Sequence, residues 1–176
     1  TSSHAEVVFH SPAAGSLHAV TADHVVQGRV IFPGAGYLET ARAAGASALR
    51  SVYFLRPLAV DAHRLLVECA MLDGRFEVRS SQEDVSTEAA VHCAGEVAEH
   101  AGWHHIEHAS LRTPLRTADV GAVYDGFDAI GLQYGPGYRT LVQAWGGASN
   151  ALTRLRARST HEGTHVHPAD LDDALC

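Results

Sequence analysis

Hydrophobic and polar residues alternate with a period of two in several short runs of this chain and with a helical period in others. That switch predicts its elements. Glu6 to His10 is the first extended run, and after the turn signal Ser11-Pro12 a second one follows at Leu17 to Ala22. From Pro33 to Gly45 the residues are mostly small or apolar and include Ala, Leu and Glu, with proline at the start and glycine at the end. That composition predicts a helix buried on most of its surface. Extended runs then resume. Val52 to Leu58 ends at Pro57, Arg64 to Met71 and Arg75 to Ser80 flank the hairpin signal Leu72-Asp73-Gly74, and Glu88 to Ala98 alternates again. A buried helix followed by several antiparallel strands predicts a sheet wrapped around one central helix, an α+β layout.

Beyond residue 100 the pattern starts afresh. Thr117 is placed to cap a helix over Ala118 to Ala129, with Val120, Val123, Tyr124, Phe127 and Ile130 at helical spacing and Gly131 as its C-terminal glycine. Strands are expected at Thr140 to Trp145 and Ala151 to Arg158. A last helix starts around His167-Pro168 and reaches only to Cys176, so the sequence reads as incomplete, with no following sheet for that helix to pack against.

Composition narrows the function classes. The 176 residues suffice for one ordinary domain or two very small ones. Thirteen basic against twenty acidic side chains, a net charge of −7, argue against a nucleic-acid surface. Every basic residue is Arg, and the lack of Lys excludes a Schiff base and a phosphate-loop lysine. No apolar stretch is long enough to cross a bilayer, and the first residues lack a signal-peptide pattern, so a cytoplasmic domain is expected. Cys69, Cys93 and Cys176 are too few for a disulfide framework or a zinc cluster, and Cys69 and Cys93, in alternating apolar runs, read as buried free thiols of a reducing compartment. Thirteen His are many. On a helix His100, His104 and His108 would share a face that could hold a metal, but Gly102, Pro114 and the absence of an apolar stripe make the segment a polar connection. No metal is predicted.

Three segments carry candidate chemistry. His24 leads into the start of the buried helix, with the spacing HxxxGxxxxP through Gly28 and Pro33. Leu132 to Tyr138 contains Tyr134-Gly135-Pro136-Gly137-Tyr138, a YGPxF-like element with Tyr138 in the aromatic position. His167 to Cys176 follows HPxxxDxxxQ/H, and its register selects Asp172 rather than Asp170 or Asp173. Imidazole titrates close to neutrality and suits a general base, whereas a carboxyl in an apolar site can stay protonated and serve as an acid.

These elements, in this order and over nearly the whole chain, resemble the dehydratase domain of modular type I polyketide synthases. The longer runs His24 to Ala41 and Val52 to Leu58 add to the likeness. The resemblance implies a double hotdog, two curved antiparallel sheets each around a central helix. The first hotdog is expected over residues 1–100, a His-rich linker over 101–117, and the start of a truncated second hotdog over 118–176. The implied activity is that of a hydro-lyase, loss of water from a β-hydroxyacyl thioester with His24 as base and Asp172 as acid. The resemblance implies no redox cofactor or metal, and a substrate carried on the phosphopantetheine arm of an acyl carrier protein. Neighbouring synthase domains are the other implied partners, and a homodimer is compatible with that setting.

Supporting roles are implied for further residues. Backbone N–H groups around Gly34 suit a developing oxyanion at a helix start. Gly28 either adds a donor or lets the backbone turn, and Pro33, lacking an N–H, acts through conformation. Tyr134 is either a hydroxyl donor near the leaving group or a packed core tyrosine. Cys176 stands where the family usually has Gln or His and is a weaker hydrogen-bonding partner for Asp172. Double-bond isomerisation, cyclisation, product templating and a silent carrier-binding module are the alternatives left open.

Overall fold

The computed structural model describes residues 5–62, 64–82, 89–99, 102, 107 and 115–175. Cys176 and the histidines at 100, 104, 105 and 108 lie outside them, as does most of the expected linker. The order is β1 (Val7–Pro12), α1 (Ser16–Thr21), β2 (Val25–Val26), β3 (Arg29–Val30), α2 (Gly34–Ala43), β4 (Ala48–Phe54), β5 (Leu65–Leu72), β6 (Arg75–Gln82) and β7 (Ala90–Ala98). It continues with β8 (Arg116–Ala118), α3 (Val120–Ala129), β9 (Leu141–Gly146), β10 (Ala151–Leu155) and α4 (Pro168–Leu175).

Five antiparallel strands in the order β1-β5-β6-β7-β4 wrap around α2, and the smaller sheet β10-β9-β8 lies with α3 and α4. Alternation on β5 and β6 sends Leu65, Val67, Cys69, Phe76 and Val78 inward, where they meet Phe32, Tyr37 and Ala41 in the first core. The hairpin between them turns at Asp73 and Gly74, both at positive φ (48° and 74°), as a two-residue primed turn requires. A second core gathers Tyr124, Tyr134, Tyr138, Leu141 and Ala169. Helix α2 packs on α4, joining the two halves.

Several element boundaries differ from the sequence expectation. Ser16–Thr21 is helical rather than extended: Gly15 turns the chain at φ 60°, and Leu17, Val20 and Thr21 recur at helical spacing. β4 ends at Phe54 instead of running to Leu58, because its register against β7 shifts around Ser51 and Pro57 cannot donate to the ladder. Thr117 pairs with Trp145 in β8, and the cap of α3 is Asp119, whose carboxylate accepts from the N–H of Gly121 at 2.8 Å. Ile130 is 70 % exposed just past the helix. β10 stops at Leu155, where its pairing with β9 becomes irregular.

Candidate active site

His24 follows α1, its N–H bonded to the carbonyl of Thr21, and it is 7 % exposed. Its Nδ1 lies 2.7 Å from the carbonyl of Ile31. A carbonyl only accepts, so Nδ1 carries a proton, and in the neutral ring Nε2 is the acceptor. The rings of Tyr134 and Tyr138 pack against the imidazole at 5.3 and 5.2 Å. Nε2 faces Oδ2 of Asp172 at 3.7 Å.

Asp172 is one turn into α4 and 8 % exposed. Tyr134 donates its hydroxyl to Oδ2 at 2.5 Å. Burial raises the carboxyl's pKa, against the opposing pulls of the Tyr134 hydrogen bond and His24, and the charge of Asp173 pushes it up further.

Of the expected supporting residues, Tyr134 touches both members of the pair, and Pro33 and Gly34 stand at the start of α2. Gly34 is the first residue of α2, and with His24, Ile31, Phe32, Tyr37 and Phe54 it lines a cavity of about 330 Å³. Pro33 caps that helix with extended backbone (φ −69°, ψ 150°). Tyr134 is the donor to Asp172 just described. Gly28 stands apart: it turns the β2–β3 hairpin at φ 77°, and its N–H is taken by Oε1 of Gln133 at 2.7 Å. His167 builds the start of α4, where its Nδ1 accepts from the N–H of Ala169 at 3.2 Å. A second, largely apolar cavity of about 360 Å³ touches neither His24 nor Asp172 and shares only Phe32 with the first.

Carboxylates that the motifs did not single out hold the site together. The backbone carbonyl of Asp23 accepts from Gly135 N–H at 2.8 Å, and its side chain accepts from Gly137 N–H at 2.6 Å. The residue before the base therefore grips the loop that carries Tyr134. Glu39, buried in α2, takes two 2.7 Å bonds from Arg42 and accepts the N–H groups of His165 and Val166 ahead of α4. Burial alone would raise the Glu39 carboxyl, but Arg42 and those N–H groups hold it below its usual range. Asp173 receives Tyr124 Oη–H (2.8 Å) and both the N–H and hydroxyl of Thr140 (2.6 Å each), which pins α4 to α3 and to the chain entering β9. One signal was present for Glu39, an acid in an apolar helix three residues before Arg42. Asp23 and Asp173 carried none beyond adjacency to motif residues.

Among the described residues no group of three or more His, Cys, Asp or Glu is arranged to hold a metal ion, and no helix is long and apolar enough to cross a membrane.

His24 and Asp172 are thus a buried imidazole and a buried carboxyl whose Nε2 and Oδ2 lie 3.7 Å apart, residue types suited to proton transfer. Two family models match the chain. Residues 1–83 match the polyketide synthase dehydratase domain, and residues 107–175 match the polyketide synthase dehydratase N-terminal domain. The chain belongs to the polyketide synthase dehydratase family. It is 35% identical to polyketide synthase ThaG of Burkholderia thailandensis over 88% of its length, and 28% identical to polyketide synthase PksM of Bacillus subtilis over 99%. It spans 3% and 5% of those synthases. The dehydratase domain of the rifamycin synthase terminal module superposes with a TM-score of 0.78 at 26% identity, covering 97% of this chain and 70% of that one. The CurK dehydratase of the curacin synthase gives 0.82 at 22% identity, covering 97% and 66%. The fold is thus the double hotdog, of which this chain supplies about two thirds.

Proposed function

We propose that this domain removes water from a β-hydroxyacyl thioester, delivered on the phosphopantetheine arm of an acyl carrier protein within a polyketide synthase. The observation that carries the reading is the opposed pair: Nε2 of His24, the accepting nitrogen of the neutral ring because Nδ1 donates to Ile31, 3.7 Å from a carboxyl whose pKa burial raises. Nε2 takes the α-proton, and the electrons of that C–H bond form the Cα–Cβ double bond. The Cβ–O bond breaks, and the hydroxyl leaves as water with the proton of Asp172. The imidazolium and the carboxylate then return to their starting states by proton exchange. Charge that gathers on the thioester oxygen is met by the N–H of Gly34 at the positive end of α2. Each step is a proton transfer or an elimination, so the reaction calls for no redox cofactor. Variants of the CurK dehydratase with one His changed to Phe, or one Asp changed to Asn, are described as inactive, which supports assigning both roles here.

The full-length protein incubated with a β-hydroxyacyl pantetheine thioester is expected to give the enoyl product, seen by mass spectrometry as loss of water. His24→Ala lowers that rate at least ~100-fold, the ordinary contribution of a general base. An unchanged rate in His24→Ala overturns the assignment. A product of unchanged mass points instead to isomerisation or cyclisation.

A further inference from the structure

The turn over Tyr134 to Gly137 lies outside every strand and helix, yet each of its four carbonyls is taken. The N–H of Tyr138 closes the turn on the carbonyl of Gly135 at 3.0 Å. Guanidiniums supply the other three donors. Tyr134 accepts from Arg139 Nε at 2.8 Å, Pro136 from Arg156 Nη2 at 3.2 Å and Gly137 from Arg158 Nη2 at 3.2 Å. The planar fork of an arginine can hold two acceptors at once in a fixed geometry. Arg158 uses it that way: while Nη2 holds Gly137, Nε donates to Oδ1 of Asp170 at 2.8 Å. Its side chain is only 13 % exposed, so the pair with Asp170 is little screened by salt.

The two ends of that bridge belong to different parts of the site. Asp170 is in the first turn of α4, two residues before Asp172, and Gly137 is three residues beyond Tyr134. The hydroxyl of Tyr134 spans the same gap to reach Asp172 at 2.5 Å. The other two arginines are placed differently. Arg139 lies over the ring of Tyr124 at 5.5 Å, and Arg156 is exposed. The charge of Arg158 is also felt at Tyr138 and at His167, so a test must separate charge from bridging.

We propose that Arg158 is a positioning residue whose two-point bridge between Asp170 and Gly137 sets the approach of the Tyr134 hydroxyl to Asp172. It touches no reacting atom, and no proton moves through it. This inference rests on the dehydratase reading above and adds to it the residue that spaces the acid from its donor.

Arg158→Lys in the full-length protein keeps the charge, but an ammonium lacks the fork. With a β-hydroxyacyl pantetheine thioester it should lower kcat by about 10- to 100-fold, the scale of a misplacement of about 1 Å, and leave KM near the parent value. The bond from Tyr134 pulls the Asp172 carboxyl down, so loosening it lets the carboxyl rise. The alkaline limb of kcat should therefore move up in Arg158→Lys. In a Tyr134→Phe background the same substitution should leave the limb where it is. A limb at the parent position in Arg158→Lys overturns the proposal whatever happens to kcat, and so does a limb that moves equally with and without the Tyr134 hydroxyl. Hydrogen exchange read by mass spectrometry tests the bridge without turnover. Asp170→Asn should speed exchange at the amides of Gly135, Gly137 and Tyr138, whose own acceptors are Asp23 and Gly135 rather than Asp170. Unchanged exchange there overturns the proposal. If the unsubstituted protein fails to dehydrate, the functional reading fails, and the exchange comparison still decides the bridge.

Discussion

The grip of Asp23 on the Gly135-Pro136-Gly137 loop can be taken apart one atom at a time. Asp23→Ala removes a 2.6 Å charge-assisted bond to the N–H of Gly137, a loss of about 1.5–3 kcal/mol. A methyl added at Gly137 would lie 2.7 Å from Oδ2 of Asp23 but 3.5 Å from Cγ and 3.6 Å from Cβ. The obstacle is the carboxylate oxygen alone. Gly137→Ala must displace that oxygen and so loses the same bond, again about 1.5–3 kcal/mol. Once Asp23 is Ala, the methyl meets only Cβ at ordinary contact distance. The double variant Asp23→Ala/Gly137→Ala should therefore cost no more than either single one, a coupling of about 1.5–3 kcal/mol. Neither Gly135 nor Gly137 has positive φ, so backbone strain does not enter.

Gly135 provides the contrast. A methyl there would lie 2.5 Å from Cγ of Asp23 and 2.9 Å from Cβ, and the Cβ remains in Asp23→Ala. Gly135→Ala should not be rescued. Urea unfolding of the three single and two double variants measures this, with equal denaturant slopes as the check that only stability has changed. Additive costs for Asp23→Ala and Gly137→Ala, or equal rescue of Gly135→Ala, would refute the clamp.

Tyr134→Phe removes the bond that favours the charged form of Asp172, so the acid's pKa rises further. The alkaline limb of the pH–rate profile should move up by about 1–2 pH units, from a bond of about 1.5–3 kcal/mol; a limb that stays or falls contradicts the assignment of the acid. Because burial raises the Asp172 pKa in the folded state, the stability tied to it is complete at low pH and is lost as pH rises through the folded value. Asp172→Asn should end turnover yet melt higher than the parent at alkaline pH and not at acid pH, a comparison thermal unfolding at two pH values makes directly. Glu39 has the opposite sign: its lowered pKa gives stability that is present above 4.5 and lost as pH falls through the folded value. Glu39→Gln should speed hydrogen exchange at the amides of His165 and Val166 at neutral pH, and protection equal to the parent's would show that the carboxylate does not hold them.

Local patterns were legible because local physics writes them. Alternation marked β5 and β6, the Asp73-Gly74 pair marked their turn, and proline followed by small residues marked α2. Leu17–Ala22 misled because six residues are too few to separate a helical from an extended period, and the Gly15 turn that decides the matter is a backbone conformation. The motif spacings selected His24, Tyr134 and Asp172, which the fold brings together. The ties that hold them could not be read, since Asp23 reaches a residue 114 positions away and Glu39 one 126 positions away. No short window contains such a pair.

Asp172 and Asp173 show what the fold adds to a motif. They are neighbours in sequence and, at about 100° per residue, point from adjacent faces of the same helix. Three donors converge on Oδ2 of Asp173, from Tyr124 and Thr140, so that oxygen is spent on anchoring α4. Oδ2 of Asp172 accepts from Tyr134 and looks across at His24. Exchanging the two roles would require turning α4 about its axis, which would break the anchor and withdraw the acid together. The anchor therefore sets the rotation of α4, and the rotation decides which of two adjacent carboxyls meets the base. Asp173→Asn, which weakens the anchor and also removes the charge that pushes the Asp172 carboxyl up, should lower kcat. Its signature is a lost response to Tyr134→Phe, because a rotated Asp172 no longer receives that hydroxyl. A full response to Tyr134→Phe in the Asp173→Asn background would mean that the helix keeps its rotation without the anchor.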